Sequence, residues 1–490
     1  MGRPGIQTHP GKIKATHRYE VVETVSRPSV VGKRFHFIGA GGVGMSGLAR
    51  LLLEKKALVT GSDQNAGSAT SLLRRMGAEI CIGHSAENLS PRTDVVVVSA
   101  AVKEDNPELR AARELGCRIY KYAQFLGELL GHFEGIAVSG THGKSTTSGW
   151  LAYCLRKAGV DVNFIVGADI PQLGASSGSG KSEFFVAEAC EYDRSFQNLK
   201  PKVACILNVE RDHLDCYRDE EDIVEAFWQF ARGSKPDGLI VANGEDRNTR
   251  RVLGRLGDER ASLTFGLAPT CNVYARNIRE HEGLYRFDVF RDGVLLGPAR
   301  LSLPGRHNIY NALAVIALAL SIGLEPERIL EGLNGFTGMD RRLMLKGRFG
   351  DITVLDDYAH HPTEVRASLQ AIRQRYAGRR LWCVYQAHQY SRTRFFLEEF
   401  AGSFGRADKV IIPDIYFVRD SQASRKEVNA EVLAARIRAK GTDAEYIGRL
   451  DAVCDYLEQH ARAGDVVVTM GAGDVWKVAD EFIQRLGSHR

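Results

Sequence analysis

The chain has 490 residues, enough for about three domains at roughly 150 residues each, and its 44% hydrophobic and 26% charged content excludes global disorder and fibrous designs. Sixty-five Lys and Arg against 60 Asp and Glu leave a net charge of +5, too dilute over this length to argue for nucleic acid or a membrane surface as partner. The nine cysteines are scattered without a C-x-x-C pair, which excludes a disulfide framework or a zinc knuckle and suits a reducing cytoplasm.

Residues 1–32 read as a basic, flexible tail punctuated by Pro and Gly. They lack the apolar core of a secretory signal, and Ile6 stands where a myristoylation motif needs Ser or Thr. From Arg34, the segments RFHFIG, GMSGLARLLLEKKA, LVTGSD, TSLLRRMGA and EICIG alternate β-branched runs with helical ones. Such a βαβαβ order predicts a parallel sheet covered by helices, with ligands at the carboxyl ends of its strands. TDVVVVSAAV (93–102) continues this first unit. GIAVSG (135–140) opens a second, a strand running through a glycine turn into the helical STTSGWLAYCLRKAG. The longest apolar stretch, Ala312 to Leu320, is far shorter than the ~18 residues of a membrane span and reads as a buried core helix, so no membrane insertion is expected. A third unit begins near Arg348, where DITVLDDYAHHP, RRLWCVYQAHQYSRT, ADKVIIPDIY and GDVVVTMGAGD are apolar strands ending in polar residues. The chain is therefore read as α/β, with a tail (1–32) and units at 33–131, 132–336 and 337–490.

Two glycine turns carry phosphate chemistry. Gly39, Gly41, Gly42 and Gly44 form G-x-G-x-x-G between a strand and a helix, so backbone N–H groups and the helix N-terminus can face a diphosphate. Asp63 closes the next strand, 19 residues beyond Gly44, at the spacing of an acid that reaches a ribose diol. NAD and a uridine diphosphate sugar both satisfy this segment; the plainer alternative is a turn that only permits close packing. In the second turn, Gly140, Thr141, His142, Gly143, Lys144, Ser145 and Thr146 form a short G-x-x-G-K-S loop. It supplies a backbone cradle, a lysine for the outer phosphates of ATP and a hydroxyl for Mg²⁺.

Glu188 and Glu191 in EACEYDRSF, and Asp212, His213 and Asp215 in NVERDHLD, follow apolar strands. Carboxylates placed there beside a phosphate loop can hold Mg²⁺ that bridges ATP oxygens, with His213 as a nitrogen ligand. Read singly, His213 is a structural histidine and Asp212 and Asp215 are helix caps. Cys190 reads as a small buried residue without a base to activate it. Two phosphorylated ligands on different units point towards a ligase.

Taken together, GAGGVGMSGLA (39–49), SGTHGKSTT (139–147), EACEYDRSF, NVERDHLD, GRHNIYNALA (305–314), MDRR (339–342), DDYAHHPTEV (356–365), QAHQYSRT (386–393) and GAGD (471–474) resemble the Mur ligases of peptidoglycan synthesis. The resemblance implies an N-terminal Rossmann-like domain binding a UDP-sugar, a central P-loop-type ATPase with a mostly parallel sheet, and a C-terminal Rossmann-like domain completing the amino-acid and ATP sites. It implies that ATP phosphorylates the lactyl carboxylate of UDP-N-acetylmuramate and that L-alanine attacks the acyl phosphate, in the cytoplasm, in a monomer or homodimer. It further implies Lys144 as the phosphate lysine and Ser145, Glu188 and His213 as the Mg²⁺ set, with Lys144, His213 and Glu188 catalytic. Asn308 and Asn311 resemble adenine-side residues, Asp357 a ribose-binding acid, and Arg342, before Arg341, the arginine bridging to the last domain. His360, His388 and Arg392 resemble the groups that hold the L-alanine carboxylate; the plainer reading of Arg392 is a surface ion pair. Ser145 replaces the commoner threonine, Ala387 stands where proline is usual, and Gln389 where some members carry arginine. Three other activities compete: a Mur-type ligase for another amino acid or a peptide, an NAD-dependent oxidoreductase built on the first glycine turn, and a non-catalytic sensor.

Overall fold

The computed structural model describes residues 30–213, 215–418, 420 and 424–488. The expected basic tail lies outside the described residues up to position 29; Gly32, at its end, already donates its N–H to the Lys56 carbonyl.

Three sheets follow one another along the chain. The first contains β1 (Arg34–Ile38), β2 (Leu58–Asp63), β3 (Glu79–Ile82), β4 (Val95–Val98) and β5 (Arg118–Lys121), all parallel, in the order β3-β2-β1-β4-β5. The order reverses between β1 and β4, and the first glycine turn leaves β1 at this point. That is the crevice in which a doubly wound sheet binds ligands.

The second sheet has ten strands: β6 (Glu134–Ser139), β7 (Asn163–Ile170), β8 (Ala175–Gly178), β9 (Phe184–Glu188), β10 (Val203–Ile206), β11 (Leu239–Asn243), β12 (Ala261–Gly266), β13 (Val273–His281), β14 (Leu284–Arg291) and β15 (Val294–Arg300). Its centre, β11-β10-β6-β9-β7, is parallel, while β8, β14 and β15 run antiparallel to their neighbours. Strand β6, source of the phosphate loop, lies between β10 and β9, so segments 207–213 and 188–191 emerge on either side of that loop. The Lys144–Lys157 and His307–Ser321 helices cover one face, and Ala312 to Leu320 is buried as a core helix. The other face shares an apolar core with the first sheet, in which Phe35, Leu48, Phe185 and Phe227 take part.

The third sheet comprises β16 (Met344–Phe349), β17 (Ile352–Asp357), β18 (Leu381–Tyr385), β19 (Lys409–Ile412), β20 (Ala444–Tyr446) and β21 (Val466–Met470), in the order β16-β17-β21-β18-β19-β20. Only β16 is antiparallel to its neighbour. Its inner strands β17, β18, β19 and β21 are buried throughout because helices cover both faces, one core containing Tyr385 and Phe400 and the other Trp382 and Phe482. Among the described residues, no helix is long and apolar enough to cross a membrane.

Candidate active site

Gly39 leaves β1 with φ +83°, and a side chain at Gly41 would put Cβ 2.9 Å from Asp63 Oδ2. The turn therefore needs glycine at both places. Asp63 Oδ2 accepts the Gly41 N–H at 2.8 Å, and its Oδ1 accepts that of Asn65 at 3.0 Å. The acid thus shapes the turn that the Val43–Glu54 helix continues, with Gly42 and Gly44 at the helix start.

Gly140 (φ +143°) and Gly143 (φ +84°) bend the second loop, and a Cβ on Gly143 would lie 2.6 Å from Asn311 Oδ1. Lys144 opens the helix and folds back over the loop, donating to the Gly140 and Thr141 carbonyls at 2.6 and 3.0 Å and to Glu191 Oε1 at 2.9 Å. Burial disfavours its charge, but the Glu191 carboxylate more than reverses this and holds the ammonium well above the ordinary lysine range. Ser145 donates to Glu188 Oε1 at 3.0 Å, and Glu188 Oε2 accepts the Gly167 N–H at 2.6 Å. His213, in left-handed backbone (φ +51°), meets Glu191 Oε1 through Nε2 at 3.2 Å. Of the three expected metal ligands, Ser145 and Glu188 are thus in contact, whereas His213 stands on Glu191. Cys190, expected to be buried, is exposed, because it lies in the turn beyond the end of β9.

A cavity of about 250 Å³ opens beside the loop, walled by His142, Asn308 and Asn311 from the second sheet's domain and by Arg342, Asp357 and Ser368 beyond it. Asn311 Nδ2 donates to Asn308 Oδ1 at 2.9 Å, and Asn308 Nδ2 to the Pro304 carbonyl at 2.7 Å, which fixes both amides. Asp357 ends β17; it accepts the Leu343 and Ala359 N–H groups at 2.8 and 2.7 Å, yet burial pushes its carboxyl up to about 6. Arg342 reaches across to Ser145 Oγ at 3.4 Å. Arg341 turns the other way, to Asp356 at 2.9 Å and the Gly471 carbonyl at 2.7 Å, so of the two arginines Arg342 faces the loop.

His142 joins the two walls. Its Nδ1 meets Glu364 Oε1 at 3.1 Å and its Nε2 meets Glu210 Oε2 at 3.3 Å. Burial alone lowers its pKa, but the two carboxylates lift it to about 10, so the ring is an imidazolium between two anions. His142, Glu210 and His361 have ligand-type atoms within 4.8 Å of one another. However, His361 Nδ1 accepts the Thr363 N–H, so its Nε2 carries the proton donated to the Arg211 carbonyl at 3.2 Å. Neither histidine ring has a lone pair left for a metal, and the trio is an ion-pair and hydrogen-bond seam. Neither Glu210 nor Glu364 stands out in the sequence, because their importance depends on how two domains meet.

His360 and His388 face each other with ring centroids 6.3 Å apart. Arg392 is 8% exposed and bonds Asp212 Oδ1 at 2.6 Å, which replaces the surface ion pair with a buried one. Asp212 is accordingly held far below the ordinary carboxylate range, against the burial that raises it, and the cap of the next helix is Asp219. Arg392 Nη2 also comes within 3.5 Å of His213 Nδ1. Lys144, Glu191, His213, Arg392 and Asp212 thus form one continuous polar chain from the phosphate loop to the third sheet's domain. Glu191 is the residue whose position sequence reasoning undervalued; its signal was only its place three residues after Glu188.

The chain matches three family models: the Mur ligase family catalytic domain over residues 34–134, the Mur ligase middle domain over 138–319, and the Mur ligase glutamate ligase domain over 341–473. It is 42% identical over 458 residues to a UDP-N-acetylmuramate–L-alanine ligase of Acetivibrio thermocellus, covering 92% of this chain and 96% of that one. A ligase of the same description from Caldanaerobacter subterraneus subsp. tengcongensis is 40% identical over 454 residues, covering 92% and 97%. Among solved structures, the UDP-N-acetylmuramate-alanine ligase MurC of Thermotoga maritima superposes with a TM-score of 0.79 at 27% identity, covering 93% of this chain and all of that one. A murein peptide ligase from Psychrobacter arcticus superposes with a TM-score of 0.69 at 27% identity, covering 93% and 99%.

Proposed function

Because the chain belongs to the Mur ligase family, we propose that it joins L-alanine to the lactyl carboxylate of UDP-N-acetylmuramate with consumption of ATP, in the cytoplasm where those nucleotides are made. The observation that carries this reading is the polar chain from Lys144 to Arg392, which links a phosphate-binding loop to a buried guanidinium suited to a carboxylate.

A carboxylate is a poor electrophile and hydroxide a poor leaving group, so the substrate carboxylate must first become an acyl phosphate. The amides of residues 143–145 at the helix start and the Lys144 ammonium receive the ATP phosphates, Lys144 exchanging the Gly140 and Thr141 carbonyls for phosphate oxygens. The cavity beside the loop takes the nucleoside, with Asn308 and Asn311 on one wall and Asp357 on the other. Ser145 and Glu188 present a hydroxyl and a carboxylate oxygen 3.0 Å apart, a donor set that fits the oxygen preference of Mg²⁺. His213 adds a nitrogen only after leaving Glu191. When bound, the ion neutralises charge on the phosphate oxygens. Arg392, fixed by Asp212, holds the L-alanine carboxylate, and His360 and His388 flank it, so that the neutral amine points at the acyl carbon. Attack there gives a tetrahedral intermediate that expels phosphate.

Measuring ADP release with UDP-N-acetylmuramate and a panel of amino acids tests the proposal. Release that depends on both the UDP-sugar and L-alanine is expected. Release with another amino acid, or none with this UDP-sugar, would overturn it.

A further inference from the structure

Tyr122 opens the Tyr122–Gly131 helix after β5, and nothing in its surrounding sequence marks it as functional. Its ring lies against the start of the first glycine-turn helix: a Cβ on Gly44 would fall 2.8 Å from Tyr122 Cζ and 3.0 Å from its hydroxyl oxygen. Glycine at 44 is therefore what lets the phenol reach the mouth of the turn. One helical turn further on, Gly47 packs against Ile165 and Ser177 of the second sheet, each 3.5 Å from its would-be Cβ. In β7, Gly167 donates to Glu188, the residue bonded to Ser145. The phenol thus stands between the first domain's glycine turn and the side of the second domain that carries Glu188, whose charge acts on it.

The surroundings also determine the hydroxyl's chemical state. Tyr122 is half-buried, and burial together with the negative charge of Glu188 keeps the phenol protonated well above the ordinary tyrosine range. Its O–H makes no hydrogen bond to any described residue. A neutral donor held rigidly by its ring beside an anion-binding turn is suited to an acidic oxygen of a ligand that spans from that turn to the second sheet.

We propose that Tyr122 is a UDP-sugar-binding residue, its hydroxyl donating to an anionic oxygen of the substrate where it passes from the glycine turn at Gly44 towards Ser145 and Glu188. This rests on the UDP-N-acetylmuramate reading above. Two oxygens share the required chemistry, one on the diphosphate and one on the lactyl carboxylate, and UDP alone carries only the first.

Calorimetric binding of UDP-N-acetylmuramate and of UDP to the full-length protein, alongside steady-state kinetics, tests the proposal with Tyr122→Phe and Tyr122→Leu. The phenylalanine keeps the ring on Gly44 and removes only the hydroxyl. It is expected to weaken UDP-N-acetylmuramate binding about tenfold and raise the corresponding KM to match, leaving the KM values for ATP and L-alanine and the melting temperature unchanged. An equal loss with UDP assigns the bond to the diphosphate; a loss confined to the full substrate assigns it to the carboxylate. Wild-type affinity of Tyr122→Phe for both ligands overturns the proposal, as does a defect seen only in Tyr122→Leu, which would reduce the residue to packing. A wild-type protein that binds neither ligand would instead remove the reading on which the proposal stands.

Discussion

Lys144 is the residue on which turnover should depend most. Replacing it by alanine removes the ammonium at the loop's centre and leaves the Glu191 carboxylate, among the described side chains, with His213. A loss on the order of 10²-fold or more in kcat is expected, with UDP-sugar binding intact because the first glycine turn belongs to another sheet; near-normal turnover would refute phosphoryl transfer at this loop. The metal set separates by geometry. Glu188→Gln removes charge from the Ser145–Glu188 contact, whereas His213→Asn acts on a side chain held by Glu191, so the Mg²⁺ concentration for half-maximal activity should rise more in the former. Metal titrations that overlay one another would disprove that order. Arg392→Lys keeps the charge but loses the fork that can grip Asp212 and a substrate carboxylate together, so the KM for L-alanine should rise about tenfold or more while that for the UDP-sugar stays put. Lys144 and Ser145 were legible because strand, glycine turn and hydroxyl coincide within a few residues, and Glu188 because it ends an apolar strand. Tyr122 was not, since its meaning lies in the approach of Gly44 from far along the chain.

At the scale of elements, alternating runs such as RFHFI and LVTGSD fold as the strands their period predicts, because parallel strands covered by helices need little more than β-branched continuity. The β13–β15 meander has no such signature. Its edge position leaves many side chains exposed, and register shifts interrupt both pairings, so the period is blurred. Buried polar staples are equally silent in sequence. Glu108, fully buried at the start of the Pro107–Glu114 helix, accepts from Ser62 at 2.6 Å and meets His36 at 2.9 Å, tying that helix to β1 and β2. Burial raises its pKa, but hydrogen bonds from His36, Ser62 and Asn88 hold it at about 2. This stabilisation is present above the unfolded carboxylate range and lost as pH falls through the folded value. Glu108→Ala should destabilise the first domain by about 3 kcal/mol by stranding its buried partners, read as an earlier denaturant transition that loosens hydrogen-exchange protection in β1 and β2 first. Protection lost uniformly over the chain would contradict a local staple.

Across the whole molecule, the pH-sensitive polar junction between the second and third sheets' domains is the His142 imidazolium between Glu210 and Glu364. A histidine whose pKa rises to about 10 on folding contributes stability fully present below its unfolded value, roughly 6.5, and lost as pH climbs through 10. Small-angle scattering should therefore show the two domains separating between about pH 8 and 10.5. His142→Gln should abolish that dependence and resemble the alkaline form already at neutral pH. A wild-type profile flat across this range would show that the other contacts, the buried Arg392–Asp212 pair among them, hold the domains without His142.

Glu364 has a second attachment: it also accepts the His360 and His361 N–H groups at 3.0 and 3.3 Å, capping the helix that carries it. Its carboxylate belongs both to the frame of one domain and to the seam with another, and the nucleoside cavity is walled by both. Occupancy of that cavity and the distance between the domains are therefore thermodynamically linked. A compound that fills it will grip in proportion to how far it favours the closed arrangement, and will bind the excised central domain far more weakly than the whole chain. An inhibitor chosen for this cavity would in effect be a molecular glue between two parts of a single polypeptide.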